Sequence, residues 1–294
     1  MGLRTLCLER LLLVAVLAAG LTPRAEAVSI VGEFTGNWNT PGPTATATFD
    51  LYFVKQTPAG AVNGIFDWTC TSGFACSGLE IVSGAVQPSG ALAMSTTALV
   101  QPVVNLVAAN YTATVTLDGQ HITNGVTTGS VFAADRVASP IPPDLSVLGG
   151  VWAGTWQTPS GSARATFDLV FTNQTPDGAE FDLTGYFDWT CTFGLVCSGR
   201  EEVAGTLLPD HSIQLATTAL VSPFQNLVPD TYSLLLIGDG SQLIGLTGTN
   251  SLIRAQHVPE PATALLSMVA LLSLWLVRAS GYRTARRTAA AIRS

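Results

Sequence analysis

Apolar and polar side chains alternate along much of the chain between residues 28 and 257. In the segment 44–53, one face carries only apolar side chains, namely Ala45, Ala47, Phe49, Leu51 and Phe53. Alternation with a period of two is typical of a β-strand that is buried on one face. The same segment shows no helical period, and none is found elsewhere between residues 28 and 257. The pattern therefore predicts an all-β body.

Further short strands are predicted at 64–70, 79–86, 91–99, 111–117 and around 122–131. The intervening turns are predicted at 57–60, 88–90 and 118–119, where proline, glycine and aspartate interrupt the alternation. About eight short strands in about 105 residues, joined mostly by hairpins, favour an antiparallel up-and-down β-barrel. A β-sandwich is the alternative.

The body contains this pattern twice. TFDL at Thr48 recurs at Thr166, and FDWTCT at Phe66 recurs at Phe187. A repeat of more than one hundred residues indicates two similar domains in tandem, because solenoid repeats are much shorter. We predict β-domains at 28–137 and 148–256. The proline-rich segment 138–147 between them is expected to be a stiff linker.

The first predicted hairpin sets a pairing register. If Pro58 and Ala59 form a two-residue loop, Phe49 faces Trp68 and Leu51 faces Phe66. The same register brings together two pairs of carboxylates, Asp50 with Asp67 and, in the second copy, Asp168 with Asp188. Opposed carboxylates suit a calcium-type cation. Two solvated acids are the favoured alternative, because two monodentate carboxylates are too few ligands for calcium.

The N-terminal segment 1–27 has the features of a secretory signal peptide. Arg4 and Arg10 flank the start of an apolar core, and Ala25-Glu26-Ala27 forms a small-x-small cleavage site, with Val28 as the first mature residue. Export places the other cysteines in an oxidising compartment. Two local disulfides are predicted from Cys70, Cys76, Cys191 and Cys197. Zinc is the less favoured alternative, since no histidine is near either pair in sequence.

The C-terminal segment 257–294 is built from three consecutive parts. The triplet Pro259, Glu260 and Pro261 precedes an uncharged apolar run at 262–277, and five arginines follow it. An uncharged run of this composition satisfies its backbone in lipid as a helix. The arginines are expected to hold the following end in the cytoplasm. The sequence therefore predicts a single transmembrane helix with the body outside.

This arrangement of triplet, span and arginines resembles the PEP-CTERM sorting signal of exopolysaccharide-producing Gram-negative bacteria. The resemblance implies that exosortase, a membrane transpeptidase-like enzyme, recognises Pro259, Glu260 and Pro261 and removes the tail. It also implies a location at the cell surface or in the extracellular matrix, with exopolysaccharide as a possible associate. Tails of this kind are also grouped with the C-terminal domains of ice-binding proteins. The threonine ladder of the first copy is not kept in the second, which argues against ice binding.

Each copy begins with a Gly-x-Trp sequence, at Gly36 and Trp38 and again at Gly154 and Trp156. This opening resembles the first strand of calycins such as lipocalins and avidin-like barrels. The resemblance implies a β-barrel in which the tryptophan closes one end. It implies nothing specific about a ligand.

Charge and repeat position limit the candidate chemistry. Residues 28–257 carry five basic and 17 acidic residues, a net charge of −12, which argues against nucleic-acid binding. The three histidines do not correspond between the copies, and no Gly-x-Ser-x-Gly sequence occurs. Corresponding polar residues that could line a pocket are Thr96, Thr97, Asn105, Tyr111, Thr217, Thr218, Asn226 and Tyr232. Turn formation and strand packing are the favoured interpretation of this set.

From these features we expect an exported, non-enzymatic surface or matrix protein without a cofactor. The alternative is a tandem barrel that binds a small apolar or sugar ligand. A pocket of about 300 Å³ or more in the barrel interior would favour that alternative. A hydrolase would need a convergent cluster of acids, or of serine and histidine, in a cleft.

Overall fold

The structure is a computed structural model that describes residues 26–42, 44–138 and 148–258. In these residues the chain forms no α-helix and folds into two closed antiparallel barrels of eight strands each. The barrel, and not the sandwich, is therefore the architecture of both copies. No helix within the described ranges is long and apolar enough to cross a membrane.

Barrel 1 contains β1 to β8. Its strands are β1 (Gly32–Asn39), β2 (Thr46–Gln56), β3 (Ala61–Ser72), β4 (Ser77–Val86), β5 (Ala91–Val104), β6 (Asn110–Val115), β7 (His121–Thr127) and β8 (Ser130–Arg136). Each strand pairs with the next along the chain, and β8 pairs with β1 to close the barrel.

Barrel 2 contains β9 to β16 in the same order. Its strands are β9 (Val151–Gln157), β10 (Arg164–Asp177), β11 (Glu180–Phe193), β12 (Ser198–Leu207), β13 (Ser212–Gln225), β14 (Thr231–Ile237), β15 (Gln242–Thr247) and β16 (Leu252–Val258). Pairing of β16 with β9 closes it. The last strand ends at Val258, two residues after the predicted domain boundary at 256.

One predicted strand is in fact two. The segment 122–131 contains the end of β7, a turn at Thr128 and Gly129, and the start of β8. Thr128 and Gly129 both have positive φ values, of 40° and 82°. Alternation alone did not show this turn, because Val126 and Val131 on either side are apolar and continue a strand-like composition.

The predicted register of the first hairpin is confirmed, but its turn is different. Phe49 pairs with Trp68 and Asp50 with Asp67, as predicted. The turn is one residue longer than predicted, since the Thr57 amide donates to the Ala61 carbonyl at 2.8 Å. A β-bulge between Phe53 and Lys55 absorbs the extra residue.

Aromatic side chains fill each barrel interior. In barrel 1, the Phe49 ring lies 4.9 Å from that of Trp68, and Phe66 stacks on Trp68 at the same distance. Barrel 2 repeats this group with Phe167, Phe187 and Trp189. The glycine of the Gly-x-Trp opening makes room for this group of aromatic rings, because a Cβ on Gly36 would lie 2.4 Å from the Phe49 ring.

The two barrels pack against each other through their outer faces. A shared buried cluster contains β2–β5 residues such as Tyr52, Ile65 and Ile81 from barrel 1, and Leu235 and Ile244 from barrel 2. Polar contacts border it, including the Gln214 side-chain amide, which donates to the Val54 carbonyl at 3.3 Å. Barrel 1 therefore covers the apolar outer face of barrel 2 around Leu235.

Both predicted disulfides are present. Cys70 bonds to Cys76 and Cys191 to Cys197, each with a Cα separation of 4.9 Å. Each bond closes the loop between the third and fourth strands of its barrel. The predicted signal peptide, the linker and the helix at 262–277 lie outside the described residues, except for positions 26, 27 and 138.

Candidate functional site

A glutamate is buried at the same place in each barrel. Glu80 in β4 is 1% exposed and Glu201 in β12 is 2% exposed. The two glutamates are 121 residues apart in the sequence, and both point into their barrels. The other inward-facing residues of their strands are apolar or small. A buried carboxylate is costly unless hydrogen bonds compensate for the loss of water, so its partners define the site.

In barrel 1, three side chains donate hydrogen bonds to Glu80. Trp68 Nε1 donates to Oε2 at 3.0 Å, and the Tyr111 hydroxyl donates to the same oxygen at 2.7 Å. The Thr96 hydroxyl donates to Oε1 and accepts a hydrogen bond from the Ala109 amide at 2.7 Å. These partners come from β3, β5 and β6, so the site forms only when four consecutive strands of the barrel have paired.

Barrel 2 repeats every one of these contacts. Trp189 Nε1 and the Tyr232 hydroxyl donate to Glu201 Oε2 at 2.9 and 2.8 Å. The Thr217 hydroxyl donates to Oε1. The whole four-residue network has therefore been retained in both copies.

The electrostatic environment of both glutamates is unusual. Burial raises the pKa of Glu80 and of Glu201 above the ordinary value, and the three hydrogen bonds oppose this shift only in part. Burial, with the nearby carboxylate, also raises the pKa of Tyr111 and Tyr232, which keeps both phenols protonated. Among the described residues, neither glutamate forms a salt bridge.

Glu80 lies at the floor of a pocket at one end of barrel 1. The pocket has a volume of about 130 Å³. Its mouth is formed by Trp38 at the end of β1, Phe74 in the disulfide loop, and Leu106 and Val107 in the β5–β6 loop. The Trp38 and Phe74 rings meet edge to face at 6.4 Å. An apolar mouth thus leads to the buried carboxyl group of Glu80.

The loops around this mouth are held by repeated local features. The Asn105 side-chain amide donates to the Ala75 carbonyl at 2.7 Å, which ties the β5–β6 loop to the disulfide loop. Asn226 makes the same bond to Val196 at 2.7 Å. Gly73 has a positive φ of 88° and packs so closely on Thr44 that a Cβ would lie 1.9 Å from its carbonyl oxygen.

The corresponding pocket of barrel 2 has a volume of about 160 Å³ and differs at several positions. Leu195 occupies the place of Phe74, and Asp230 occupies the place of Ala109. Asp230 accepts hydrogen bonds from the amides of Thr231 and Gly248 at 2.8 and 3.0 Å. Both pockets are smaller than the pocket of about 300 Å³ that would favour a barrel binding a small apolar or sugar ligand, because the aromatic core fills most of each barrel.

A second polar group marks the wall of the barrel 1 pocket. Thr127, at the end of β7, is 7% exposed and lines the pocket. Its buried hydroxyl has no hydrogen-bond partner among the described residues. In barrel 2 the corresponding Thr247 hydroxyl bonds to the Thr249 hydroxyl at 2.8 Å and accepts from the Ser251 amide at 3.2 Å. The pocket of barrel 1 therefore contains an unsatisfied polar group that barrel 2 lacks.

In each pair of opposed aspartates, one aspartate forms an ion pair with an arginine. Asp50 faces Asp67 and Asp168 faces Asp188, as predicted. Arg254 of barrel 2 bonds to Asp67 at 2.7 Å, and Arg200 forms two hydrogen bonds to Asp188, of 2.8 and 2.7 Å. Within residues 26–42, 44–138 and 148–258, no three metal-ligating side chains come together. Guanidinium groups thus occupy the places where a cation was considered.

Only some of the corresponding polar residues noted in the sequence contact the buried glutamates. Thr96, Tyr111 and their counterparts bind the buried glutamates, whereas Asn105 and Asn226 hold loops, as turn residues do. Thr97 instead donates to the Ile81 carbonyl at 3.1 Å. Thr96 and Tyr111 thus bond to a buried carboxyl group in addition to packing in their strands. The key residues that the sequence reasoning missed are Glu80 and Glu201.

A signal for these glutamates was present in the sequence. Each is an acid at a corresponding position of the repeat, in a strand predicted to have one buried face. The sorting residues Pro259, Glu260 and Pro261 lie outside the described residues.

Together, the fold and these sites define a tandem β-barrel protein with one small pocket in each barrel. The chain matches no family model, no curated protein and no solved structure.

Proposed function

We propose that this chain is an exported, non-enzymatic cell-surface or matrix protein whose two barrels each bind a small molecule. The observation that carries the binding role is the retention of the Glu–Trp–Tyr–Thr network and its pocket in both copies. The outer faces of the same strands have diverged: Thr114 and Thr123 in barrel 1 correspond to Leu235 and Ile244 in barrel 2.

The size of the pockets limits the ligand. A cavity of about 150 Å³ accommodates a molecule the size of benzene. Volumes of about 130 and 160 Å³ therefore suit a ligand of about that size. This favours a small metabolite over a lipid or an oligosaccharide inside the barrel.

A purely structural role for the network is the competing explanation. It accounts for the three hydrogen bonds to Glu80 but not for the open pocket above it or for the unpaired Thr127 hydroxyl. A hydrolase is less well supported, because no histidine lines either pocket to activate a hydroxyl nucleophile such as that of Ser130.

The binding role is tested with a set of small cationic, neutral and anionic fragments. They are added to the ¹⁵N-labelled full-length protein, and the indole N–H signals of Trp68 and Trp189 are followed by NMR. We expect saturable shifts of at least one of these signals with some fragments. If no fragment of any charge shifts either signal, the binding role is wrong.

The sorting role rests on the sequence of the two ends. It is supported by the signal peptide at 1–27, the triplet Pro259-Glu260-Pro261, the apolar run at 262–277 and the arginines after it. In a host with an exosortase, we expect mass spectrometry of the surface-released protein to find Val28 as the first residue. Its last residue is expected near Pro261. A released chain that retains 262–294 would contradict processing by exosortase.

A further inference from the structure

We propose that the pocket of barrel 1 binds a small organic ammonium ion. This inference rests on the proposed binding role and specifies its ligand. The groups that carry it are the Glu80 carboxylate and the Thr127 hydroxyl, which lie in one pocket behind an aromatic mouth.

The first argument comes from the hydrogen-bonding capacity of Glu80. A carboxylate has about four acceptor sites. Trp68 and Tyr111 use two of them on Oε2, and Thr96 uses one on Oε1. One acceptor site on Oε1 is left, so a ligand gains by donating a hydrogen bond to it.

The second argument comes from Thr127. Its hydroxyl can both donate and accept, and it is buried without a partner among the described residues. An ammonium group carries three N–H donors, so it can bond to Glu80 and to Thr127 at once. A ligand with one donor and no acceptor would leave one of these groups unsatisfied, at a cost in affinity.

The third argument is the absence of positive charge from the wall. No lysine, arginine or histidine lines this pocket. A carboxylate ligand would therefore meet Glu80 without a compensating cation. The aromatic side chains Trp38, Trp68, Phe74 and Tyr111 line the pocket and can cover the apolar part of such a ligand.

The probes are three ligands of equal length, n-butylammonium, 1-butanol and butyrate, added to the full-length protein. The readout is the Trp68 indole N–H signal, which reports directly on the hydrogen bond to Glu80. We expect saturable binding of butylammonium, at least ~10-fold tighter than that of butanol, because a charge-assisted hydrogen bond is stronger than a neutral one. Butyrate is expected not to bind.

Two variants test the residues. Thr127→Val keeps the shape and removes the hydroxyl, and we expect it to weaken butylammonium binding ~10-fold. Thr247→Val, the matched change in barrel 2, is expected to leave binding at Trp68 unchanged. Glu80→Gln keeps the shape and removes the charge, and we expect it to abolish the preference for butylammonium over butanol.

The outcomes separate this inference from the broader one. If butanol or butyrate binds at least as tightly as butylammonium, as measured by titration of the Trp68 signal, the ammonium inference is wrong and the binding role stands. If butylammonium binds equally well to Thr127→Val and to the unaltered protein, the assignment of Thr127 is wrong. If no probe and no fragment binds, both proposals fail.

Discussion

Arg254 of barrel 2 reaches across the interface and donates from Nη2 to Oδ2 of Asp67 in barrel 1 at 2.7 Å. In barrel 2, the counterpart of Asp67 is Asp188, and it is bound by Arg200 of the same barrel. The two arginines occupy different positions of the repeat, where the other copy has Ala133 and Leu79. The duplicated domains have thus solved the same electrostatic problem in different ways, because only one of the two aspartates faces a neighbouring barrel.

The apolar interface should contribute more than this ion pair. Leu235 is 1% exposed and packs against barrel 1, whereas its counterpart Thr114 is exposed to solvent. We expect Leu235→Asp to lower the free energy of unfolding by about 3 kcal/mol or more, since it buries a charge in an apolar contact. The matched Thr114→Asp should change it by less than ~0.5 kcal/mol. Urea denaturation measures both, and equal effects would contradict this account of the interface.

The interface is head-to-tail, because the two barrels contribute different faces to it. Each barrel therefore keeps one free face to which a further copy of the protein could bind. The β10–β12 face of barrel 2 corresponds to the face of barrel 1 that is covered, but it carries Arg200 and Glu202 in place of Leu79 and Ile81. A heterologous contact that does not close generates open chains. We therefore expect the polar residues on the free faces to oppose the addition of further copies.

Restoring both apolar faces should remove this restriction. We expect the quadruple variant Arg200→Leu, Glu202→Ile, Thr114→Leu and Thr123→Ile to associate into open chains that grow with protein concentration. Analytical ultracentrifugation measures this. A quadruple variant that sediments like the unaltered protein at all concentrations would show that other features limit association.

The unpaired hydroxyl predicts opposite effects of one substitution in the two barrels. Thr127→Val should raise the free energy of unfolding by ~1 kcal/mol, because it removes an unsatisfied buried polar group. Thr247→Val should lower it by ~1 kcal/mol or more, since the Ser251 amide and the Thr249 hydroxyl lose their partner. Both are measured without ligand by chemical denaturation. Destabilisation by both variants would argue that Thr127 has a partner in solution.

The buried glutamates predict an unusual dependence of stability on pH. Their pKa values are raised by burial, so the folded state keeps protons that the unfolded state has already lost above the ordinary value of 4.5. The stability from these groups is fully present below 4.5 and is lost as the pH rises through the folded-state pKa. Between pH 4 and 7, we therefore expect Glu80→Gln to gain stability relative to the unaltered protein.

Thermal unfolding at several pH values measures this difference. Comparison with the variant removes the contributions of other groups, such as Glu33, whose pKa burial also raises. Glu180→Gln is the control, because Glu180 is exposed in β11. A difference between Glu80→Gln and the unaltered protein that stays constant with pH would show that Glu80 ionises as easily as an exposed acid.

Local pattern and duplication were sufficient to predict much of the fold. Alternation along β2 predicted a half-buried strand, because it depends on residues close together in sequence, and the even number of cysteines in an exported body predicted two local disulfides. The pairing of Phe49 with Trp68 was also predicted correctly, although the turn was one residue longer and a bulge at Val54 restored the register. The turn at Thr128 was missed, since apolar residues flank it on both sides.

Between them, the alternating pattern and the internal repeat determined the strand-rich class, the two-domain organisation and the face of each strand that is buried. Only the tertiary structure decided that the sheet closes into a barrel and that Trp68, Thr96 and Tyr111 converge on Glu80. These residues lie on four consecutive strands, and the pairing and curvature of those strands set the distances between them. The packing of Leu235 on barrel 1 was decided in the same way, because it depends on how two folded surfaces fit and not on any local preference of the chain.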